Sequence, residues 1–255
     1  MIELRGVSKS YGTKKAVDHL DLVVKAGELF AFLGPNGAGK TTTIKMICGL
    51  LSPSEGTVRV GGHPASSQEA RQLMAYVPDQ PYLYEKLTGR EFLKFVVDMY
   101  GLEYVAARKR IDELIDTFEM SDFIDELSEN YSHGMKQRVV FASALVHNPK
   151  VLIVDEPLVG LDPRSARIVK DLFLSQARSG VAVLMSTHLL SIAEELADTI
   201  GILDRGKMLT RGSLQEIREA SQNHGPLEGL FLALTGGDRP MPSTVNKSAG
   251  EAAAS

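Results

Sequence analysis

The sequence predicts an α/β fold in which a mostly parallel sheet is joined by crossover helices. Short β-rich runs alternate with helical stretches along most of the chain, which is the order expected of that class. A glycine-rich loop, 34–39, separates a strand-like run from a helical one. A second apolar run, 151–154, ends in two carboxylates, Asp155 and Glu156. Both arrangements are typical of parallel sheets that bind a ligand at the carboxyl ends of their strands.

The first third of the chain is predicted to be rich in strands. Short runs of strand-forming residues are separated by turn residues, such as Ala26-Gly27. The helix that follows the glycine-rich loop must end before Pro53, which cannot continue it. The elements predicted here are strands 2–7, 20–25, 29–33, 57–60 and 74–77, and a helix over 40–50.

The middle of the chain, about 88–148, is predicted to be a helical insertion. Its residues 92, 95, 96 and 99 are apolar at helical spacing, so we expect them to form subdomain core. The alternative is that part of 82–100 lines a groove for a partner helix. Beyond the insertion we predict strands 151–154 and 181–186, a helix over 164–177, a hairpin of 200–203 with 207–210, and one or two helices in 213–235.

We assign residues 1–235 to one folded domain and 236–255 to a disordered tail. The tail lacks apolar periodicity and is rich in Gly, Pro, Ser and Ala. The length of 255 residues suits one large domain or a core with a subdomain.

Composition excludes several classes of protein. With 28 Lys plus Arg, 32 Asp plus Glu and a formal net charge of -4, the chain is not expected to bind nucleic acid. The single cysteine, Cys48, cannot form an internal disulfide, which favours a reducing, cytosolic setting; we expect it to be a small core residue. No apolar run approaches the roughly 20 residues of a membrane span, and the first residues show no charged-then-apolar signal pattern, so secretion is not expected.

The glycine-rich loop carries a phosphate-binding motif. The run Gly34-Pro35-Asn36-Gly37-Ala38-Gly39-Lys40-Thr41 fits G-x-x-x-x-G-K-[ST] and lies between an apolar strand and a helix. Glycines let backbone N–H groups converge on phosphate oxygens, and the helix points its N-terminal partial charge at the same anion. Lys40 suits the β- and γ-phosphates, and the Thr41 hydroxyl suits Mg²⁺. Thr42 completes the predicted phosphate site.

The carboxylates after run 151–154 complement that loop. Asp155 suits a Mg²⁺-linked water, and Glu156 can accept a proton from the attacking water. Many strands end in a solvated acidic residue, so Asp155 and Glu156 alone would say little about function. They become informative because a phosphate-binding loop accompanies them. Together the two motifs predict a P-loop NTPase.

A third motif indicates which family of P-loop NTPases the chain resembles. The run Tyr131-Ser132-His133-Gly134-Met135-Lys136-Gln137-Arg138 is similar to the LSGGQ-type signature of ABC (ATP-binding cassette) ATPases. It stands at the head of a predicted helix and before the strand that ends at Asp155. Tyr11 matches the aromatic residue that stacks on adenine, Leu161-Asp162 matches the D-loop, and His188 matches the H-loop. The resemblance covers about residues 2–235.

The resemblance implies a fold, a reaction and partners. The fold is a P-loop NTPase (RecA-like) core with an antiparallel β subdomain and an α-helical signature subdomain. The cofactors are ATP and Mg²⁺, and hydrolysis powers a membrane transporter. ATP lies between the phosphate loop of one cassette and Ser132, His133 and Gly134 of a second. Glu156 is the expected base, and His188 holds the γ-phosphate and the network of the attacking water.

The implied partners are a separate multi-span permease and a second cassette, either an identical or a different one. The expected location is peripheral, on the cytoplasmic face of a bacterial membrane. Asp79, the signature and the ending 227–236 resemble the ABC-2-type export and drug-resistance branch. Asp79 occupies the position where the family usually has the glutamine of the Q-loop. Gln80 is adjacent, and either residue could contact Mg²⁺. His133 stands where Gly is typical, and Tyr131 where Leu is usual.

The sequence disfavours two other functions. A soluble cassette ATPase acting on ribosomes or DNA is disfavoured, because the chain has one cassette, no sustained heptads and an acidic balance. A degenerate regulatory cassette is disfavoured because Lys40, Asp155, Glu156 and His188 are all present.

Overall fold

The computed structural model describes residues 1–221 and 225–236, which form two sheets and a set of helices. The strands are β1 (Ile2–Tyr11), β2 (Lys14–Val24), β3 (Leu29–Leu33), β4 (Glu55–Val60), β5 (His63–Pro64), β6 (Met74–Val77), β7 (Val151–Asp155), β8 (Ala182–Thr187), β9 (Thr199–Asp204) and β10 (Lys207–Gly212). The helices are α1 (Lys40–Ile47), α2 (Gln68–Leu73), α3 (Gly89–Met99), α4 (Tyr104–Thr117), α5 (His133–Leu145), α6 (Pro163–Arg178), α7 (Leu190–Leu196), α8 (Leu214–Ser221) and α9 (Leu227–Thr235).

The larger sheet has six strands in the order β10-β9-β3-β8-β7-β6. Every neighbouring pair is parallel except the β9–β10 hairpin, so the prediction of a mostly parallel sheet is confirmed. Strands β3, β7 and β8 are buried along their whole length. Their unbroken apolar runs reflect that burial, because a parallel strand covered on both faces has no solvent side.

Alternate residues of the sheet pack into two separate cores. Leu29, Ala31 and Leu33 of β3 face a core built with the helices that follow β6 in the chain. Phe30 and Phe32 face a second core, shared with α1 and the antiparallel sheet β2-β1-β4-β5. The period-2 alternation of a strand divides the two sets. The fold is thus the predicted α/β core with an antiparallel β layer.

The region predicted as a helical insertion contains α3, α4 and α5, and its buried face differs from the expected one. We predicted Phe92–Met99 as core on apolar spacing, but α3 buries Gly89, Leu93 and Val97 instead. Phe95 and Met99 are exposed, while Phe92 and Val96 are only partly buried. The spacing correctly identified an apolar face of α3, but it could not show that Phe95 and Met99 on this face are exposed to solvent.

Several element boundaries also differ from the predictions. Helix α1 ends at Ile47, because Gly49 at a φ of 68° turns the chain well before Pro53. Strand β1 continues to Tyr11, which pairs with Lys14 at the start of β2. The short elements β5, α2 and α7 were not predicted, since two to seven residues show little periodicity.

The hairpin of β9 with β10 was predicted, and α8 and α9 fall in the stretch predicted to hold one or two helices. Apart from Gly236, the predicted disordered tail lies outside the described residues. Across the described ranges, no helix is long and apolar enough to span a bilayer.

Candidate nucleotide-binding site

Three neighbouring parallel strands end at one edge of the larger sheet. Strand β3 leads into the glycine-rich loop, β7 ends at Asp155, and β8 lies between them and leads to His188. The register pairs Asp155 with Ser186 and Leu33 with Thr187, so these ends are level. The edge where open α/β sheets bind ligands therefore carries both predicted phosphate-side motifs.

The lysine of the glycine-rich loop folds back onto the loop itself. Lys40 is 7% exposed, and its Nζ donates to the backbone oxygens of Gly34 at 2.6 Å and Pro35 at 3.3 Å. Burial lowers the pKa of Lys40, against the opposing effect of the Glu156 and Asp155 charges. A buried ammonium held only by neutral carbonyls retains a strong preference for an anion, which a phosphate would supply.

The loop backbone has a shape that side chains would disturb. Gly39 has a φ of +110°, and a Cβ there would lie 2.5 Å from the backbone oxygen of Ala16. A Cβ on Gly34 would collide with the backbone oxygen of Leu203. Ala38 is buried, whereas Asn36, Gly37 and Thr41 are exposed at the loop surface. The glycines at 34 and 39 are thus required by close approach of neighbouring strands.

Asp155 is held by hydroxyl groups on both oxygens. Its Oδ1 accepts a hydrogen bond from Ser186, and its Oδ2 accepts one from the Thr41 hydroxyl at 3.4 Å. The residue is 4% exposed; burial raises its pKa, and the nearby charges of Asp79 and Glu156 add to the effect. The structure therefore brings the predicted metal-side pair Thr41 and Asp155 together.

Ser186 is a site residue that the sequence interpretation missed. It directly precedes Thr187 and His188, but only the strand order shows that it lies beside Asp155. The available signal was a serine at the end of an apolar strand that runs toward the H-loop.

Glu156 and His188 contact each other directly. The His188 Nδ1 lies 2.8 Å from Glu156 Oε2, and the His188 backbone N–H donates to the same oxygen at 3.3 Å. Glu156 adopts a positive φ of 48°, and its own N–H donates to the Ser186 carbonyl oxygen at 3.1 Å. A non-glycine residue held there costs about 1–3 kcal/mol, and such conformations cluster at functional sites.

The signature run begins a helix and lies against the D-loop. Ser132 is the N-cap of α5, where its Oγ accepts a hydrogen bond from the Met135 N–H at 3.3 Å. Ser132 and His133 are exposed. A Cβ on Gly134 would be 3.5 Å from Asp162 Oδ2, and a Cβ on Gly160 would be 3.5 Å from the His133 ring. Gly160 was not singled out from the sequence.

Asp162 is itself a helix cap. It accepts hydrogen bonds from the backbone N–H groups of Arg164 and Ser165 at 3.0 Å and from the Ser165 hydroxyl at 2.6 Å, and the last of these does most to lower its pKa. Leu161 packs against the helical-side core. In the part of the chain that the structure describes, no hydrogen bond joins Ser132, His133 or Gly134 to the glycine-rich loop.

The remaining predicted residues lie at the surface near strand ends. Tyr11 ends β1 with its ring half exposed, and the Lys9 ammonium lies 5.6 Å from the ring centroid. Asp79 and Gln80 are exposed just after β6, and Asp79 Oδ1 accepts the Gln80 N–H at 3.0 Å. Pro35 and Thr42 are partly exposed within the loop and α1.

Comparison with known proteins identifies the family. The model of the ABC transporter family matches residues 17–159. The chain belongs to the ABC transporter family. It is an ATP-binding and ATP-hydrolysing cassette of that family, and the predicted fold class and transporter ATPase function are confirmed.

Relatives and solved structures agree with that assignment. The chain is 40% identical to the daunorubicin/doxorubicin resistance ATP-binding protein DrrA of Streptomyces peucetius, over 86% of this chain and 67% of that protein. It is 37% identical to the linearmycin resistance ATP-binding protein LnrL of Bacillus subtilis, over 85% and 70% respectively. The solved ATP-binding subunit of an ABC transporter superposes with a TM-score of 0.87 at 33% identity, over 92% of this chain and 99% of that one.

A bacterial ABC transporter cassette solved as a dimer also has the same fold. Its TM-score is 0.76 at 26% identity, over 84% of this chain and 99% of that one. The same cassette was also solved as a dimer in a post-hydrolysis state bound to ADP and Pi.

Proposed function

We propose that this cassette hydrolyses ATP between its own phosphate loop and the signature of a second cassette, and thereby drives an export permease. The observation that carries the proposal is the separation of two groups of residues. Lys40 bonds to the glycine-rich loop and Thr41 to Asp155, whereas Gly134 lies beside Asp162 of the D-loop and follows Ser132 at the start of α5. Each group offers donors for only part of a nucleotide, so a complete site requires two cassettes.

The phosphate loop would hold the β- and γ-phosphates. The Lys40 ammonium would exchange its two carbonyl partners for phosphate oxygens, while the loop N–H groups and the start of α1 donate to the same anion. Residues 34–42, apart from Pro35, which has no N–H, supply these donors, and the half-exposed Tyr11 ring offers a face on which adenine can stack.

The oxygen donors of this site fit Mg²⁺. The described ranges hold no group of three or more His, Cys, Asp or Glu side chains arranged for a metal ion. Mg²⁺ in nucleotide sites needs only one or two protein oxygens, because phosphates and waters supply the rest, and it would neutralise charge on the phosphates. Thr41 would bind it directly and Asp155 through water. The charge of Asp79 adds to the raised pKa of Asp155, so Asp79 lies near this carboxylate, and Asp79 or the adjacent Gln80 would be the Q-loop contact.

Glu156 is the proposed general base. Its carboxylate would accept a proton from the water that attacks the γ-phosphate, and its backbone is held between β7 and Ser186. His188, which already contacts the Glu156 carboxylate, would hold the γ-phosphate and orient that water. Both residues lie at the strand edge where the phosphate loop begins.

The second cassette would supply the signature. The exposed Ser132 hydroxyl and the free N–H groups at the start of α5 are suitable donors to a γ-phosphate. His133 and Gly134 occupy the same helix start; Asp162 lies beside Gly134, and Leu161 directly precedes Asp162. Closure of the two cassettes would then depend on bound ATP, which links the nucleotide to a conformational change.

An exposed aromatic surface is the proposed contact with the permease. We define the aromatic surface as Tyr82, Tyr84, Phe92 and Phe95. Tyr82 is 73% exposed, and the Tyr84 ring lies 5.6–6.1 Å, centroid to centroid, from the other three rings. Exposed clusters of this kind mark protein contacts. A cytoplasmic helix of a separate multi-span permease is the proposed occupant, which makes the cassette peripheral to the membrane.

The direction of transport is inferred from the relatives. DrrA and LnrL are named for resistance to daunorubicin/doxorubicin and to linearmycin, so export of a drug-like molecule is the proposed function. The second cassette is proposed to be another copy of this chain, with support from the similar bacterial cassette that was solved as a dimer.

Affinity capture from native membranes tests the permease contact. The wild-type chain should retain a multi-span membrane protein, and Phe95→Ser should weaken that retention at least about fivefold, as expected of a core interface residue. The matched control Val105→Ser changes an exposed apolar residue outside the aromatic surface and should retain the partner. The proposal fails if the wild-type chain captures no membrane protein, or if both variants behave alike.

A further inference from the structure

A buried phenol links the helix that bears the aromatic surface to the signature. Tyr131, where the family usually has Leu, is 6% exposed and directly precedes Ser132. Its hydroxyl accepts a hydrogen bond from the Gly89 N–H at 3.0 Å and donates to the Phe123 carbonyl oxygen at 2.9 Å. Gly89 is the first residue of α3, so this N–H has no partner within its own helix.

The packing around the hydroxyl leaves it little freedom. A Cβ on Gly89 would come within 2.9 Å of the Tyr131 oxygen, so only glycine allows the approach. The Tyr131 ring meets the Phe123 ring edge-on, with centroids 5.1 Å apart. Two further carbonyl oxygens, of Ile124 and Glu126, lie within 3.3 Å of the hydroxyl. The phenol thus joins the start of α3, the turn at 123–126 and the signature.

A second side chain joins the same segments. The buried Ser128 hydroxyl donates to the Tyr84 carbonyl oxygen at 2.8 Å, and the Ser128 N–H donates to the Leu87 carbonyl oxygen at 2.9 Å. Segment 84–89, which includes part of the aromatic surface, is therefore hydrogen-bonded along its length to segment 128–131. Ser132 follows immediately, so a displacement of one segment must displace the other or break buried hydrogen bonds.

We propose that Tyr131 is a positioning residue: its hydroxyl fixes Ser132 relative to α3, so that the placement of the signature depends on the segment that carries the aromatic surface. This inference rests on the proposed two-cassette function, because it assigns Ser132 a nucleotide in a second cassette. A leucine at this position would pack but could not hold the Gly89 N–H.

The test measures ATP-dependent dimer formation in a Glu156→Gln background, by sedimentation. Tyr131→Phe keeps the ring and removes the hydroxyl, and we expect it to raise the dimer Kd about tenfold. The affinity of the monomer for a fluorescent ATP analogue should not change, since residues 34–42 are untouched. A merely structural role would lower the melting temperature without changing the dimer Kd.

The matched control is Tyr100→Phe, which removes a hydroxyl at the other end of α3 and keeps the ring stacked on His147. The inference is overturned if Tyr131→Phe dimerises like its parent, or if Tyr100→Phe weakens the dimer equally. If Tyr131→Phe does not fold, Ser128→Ala is measured in the same way, with the same expected and contrary results. If the Glu156→Gln parent does not dimerise with ATP, the two-cassette proposal itself fails, and this inference with it.

Discussion

The phosphate-loop region and the signature region differ in how many of their functional side chains are buried and hydrogen-bonded within the cassette. Lys40 and Asp155 are almost fully buried, and each has hydrogen-bond partners within the cassette. Ser132 and His133 are exposed at the start of a helix, with donors that point to no acceptor in the glycine-rich loop. The difference teaches that the residues of one region are held in place by their own cassette, while those of the other form an open surface, as the proposed contact with a second cassette requires.

The largest expected effect comes from the base in the phosphate-loop region. Glu156→Gln removes the proton acceptor while keeping the size of the side chain. ATP turnover should fall by about 10²- to 10⁴-fold, the usual contribution of a general base, and bound ATP should accumulate. A phosphate-release assay with a nucleotide-trapping measurement checks both results. Near-normal turnover in this variant would exclude Glu156 as the base.

The second largest effect is expected on nucleotide affinity, and it comes from Lys40 in the glycine-rich loop. Lys40→Ala should weaken ATP binding by the monomer by about 10- to 100-fold, because a charge-assisted hydrogen bond to phosphate is lost. Lys45→Ala is the matched control, since Lys45 lies on the same helix but is exposed. Equilibrium titration with a fluorescent nucleotide checks the difference. Equal affinities in the two variants would contradict the role of Lys40.

A smaller effect is expected in the exposed region. Ser132→Ala should lower turnover about tenfold through loss of one donor to the γ-phosphate, and leave nucleotide affinity of the monomer unchanged. The substitution also removes a helix cap, which costs about 1 kcal/mol. Ser67→Ala removes the comparable cap of α2, whose Oγ accepts the Ala70 N–H at 3.2 Å, and controls for that loss. Were Ser67→Ala equally slow, the decrease would reflect stability alone.

The smallest expected effect concerns Cys48, beside the phosphate-loop region. The thiol is 7% exposed, and burial raises its pKa to about 12, so the reactive thiolate is scarce at pH 8. Alkylation by iodoacetamide should therefore be slow in the folded cassette and rapid after unfolding in guanidinium. Mass spectrometry follows the reaction. Rapid labelling of the folded chain would show that the core around α1 opens readily.

The sequence predicted contiguous motifs better than contacts between separate segments, for a physical reason. Residues 34–41 and 151–156 are contiguous runs whose chemistry depends on local backbone shape, so a sequence motif is enough to identify them. The contacts of Ser186 with Asp155, and of Gly160 with His133, join separate segments and depend on strand order and loop packing. Likewise, apolar spacing in α3 could not distinguish the outward Phe95 from the buried Leu93.

The short loop from Glu156 to Asp162 has a consequence for the kinetics. Its first residue lies at the phosphate-loop edge, and Gly160 and Asp162 lie against His133 and Gly134. In the proposed pair of cassettes these two ends would serve different ATP molecules. A change at one nucleotide would then be carried six residues along the chain to the other, so the two sites should not turn over independently, and the Hill coefficient should differ from unity.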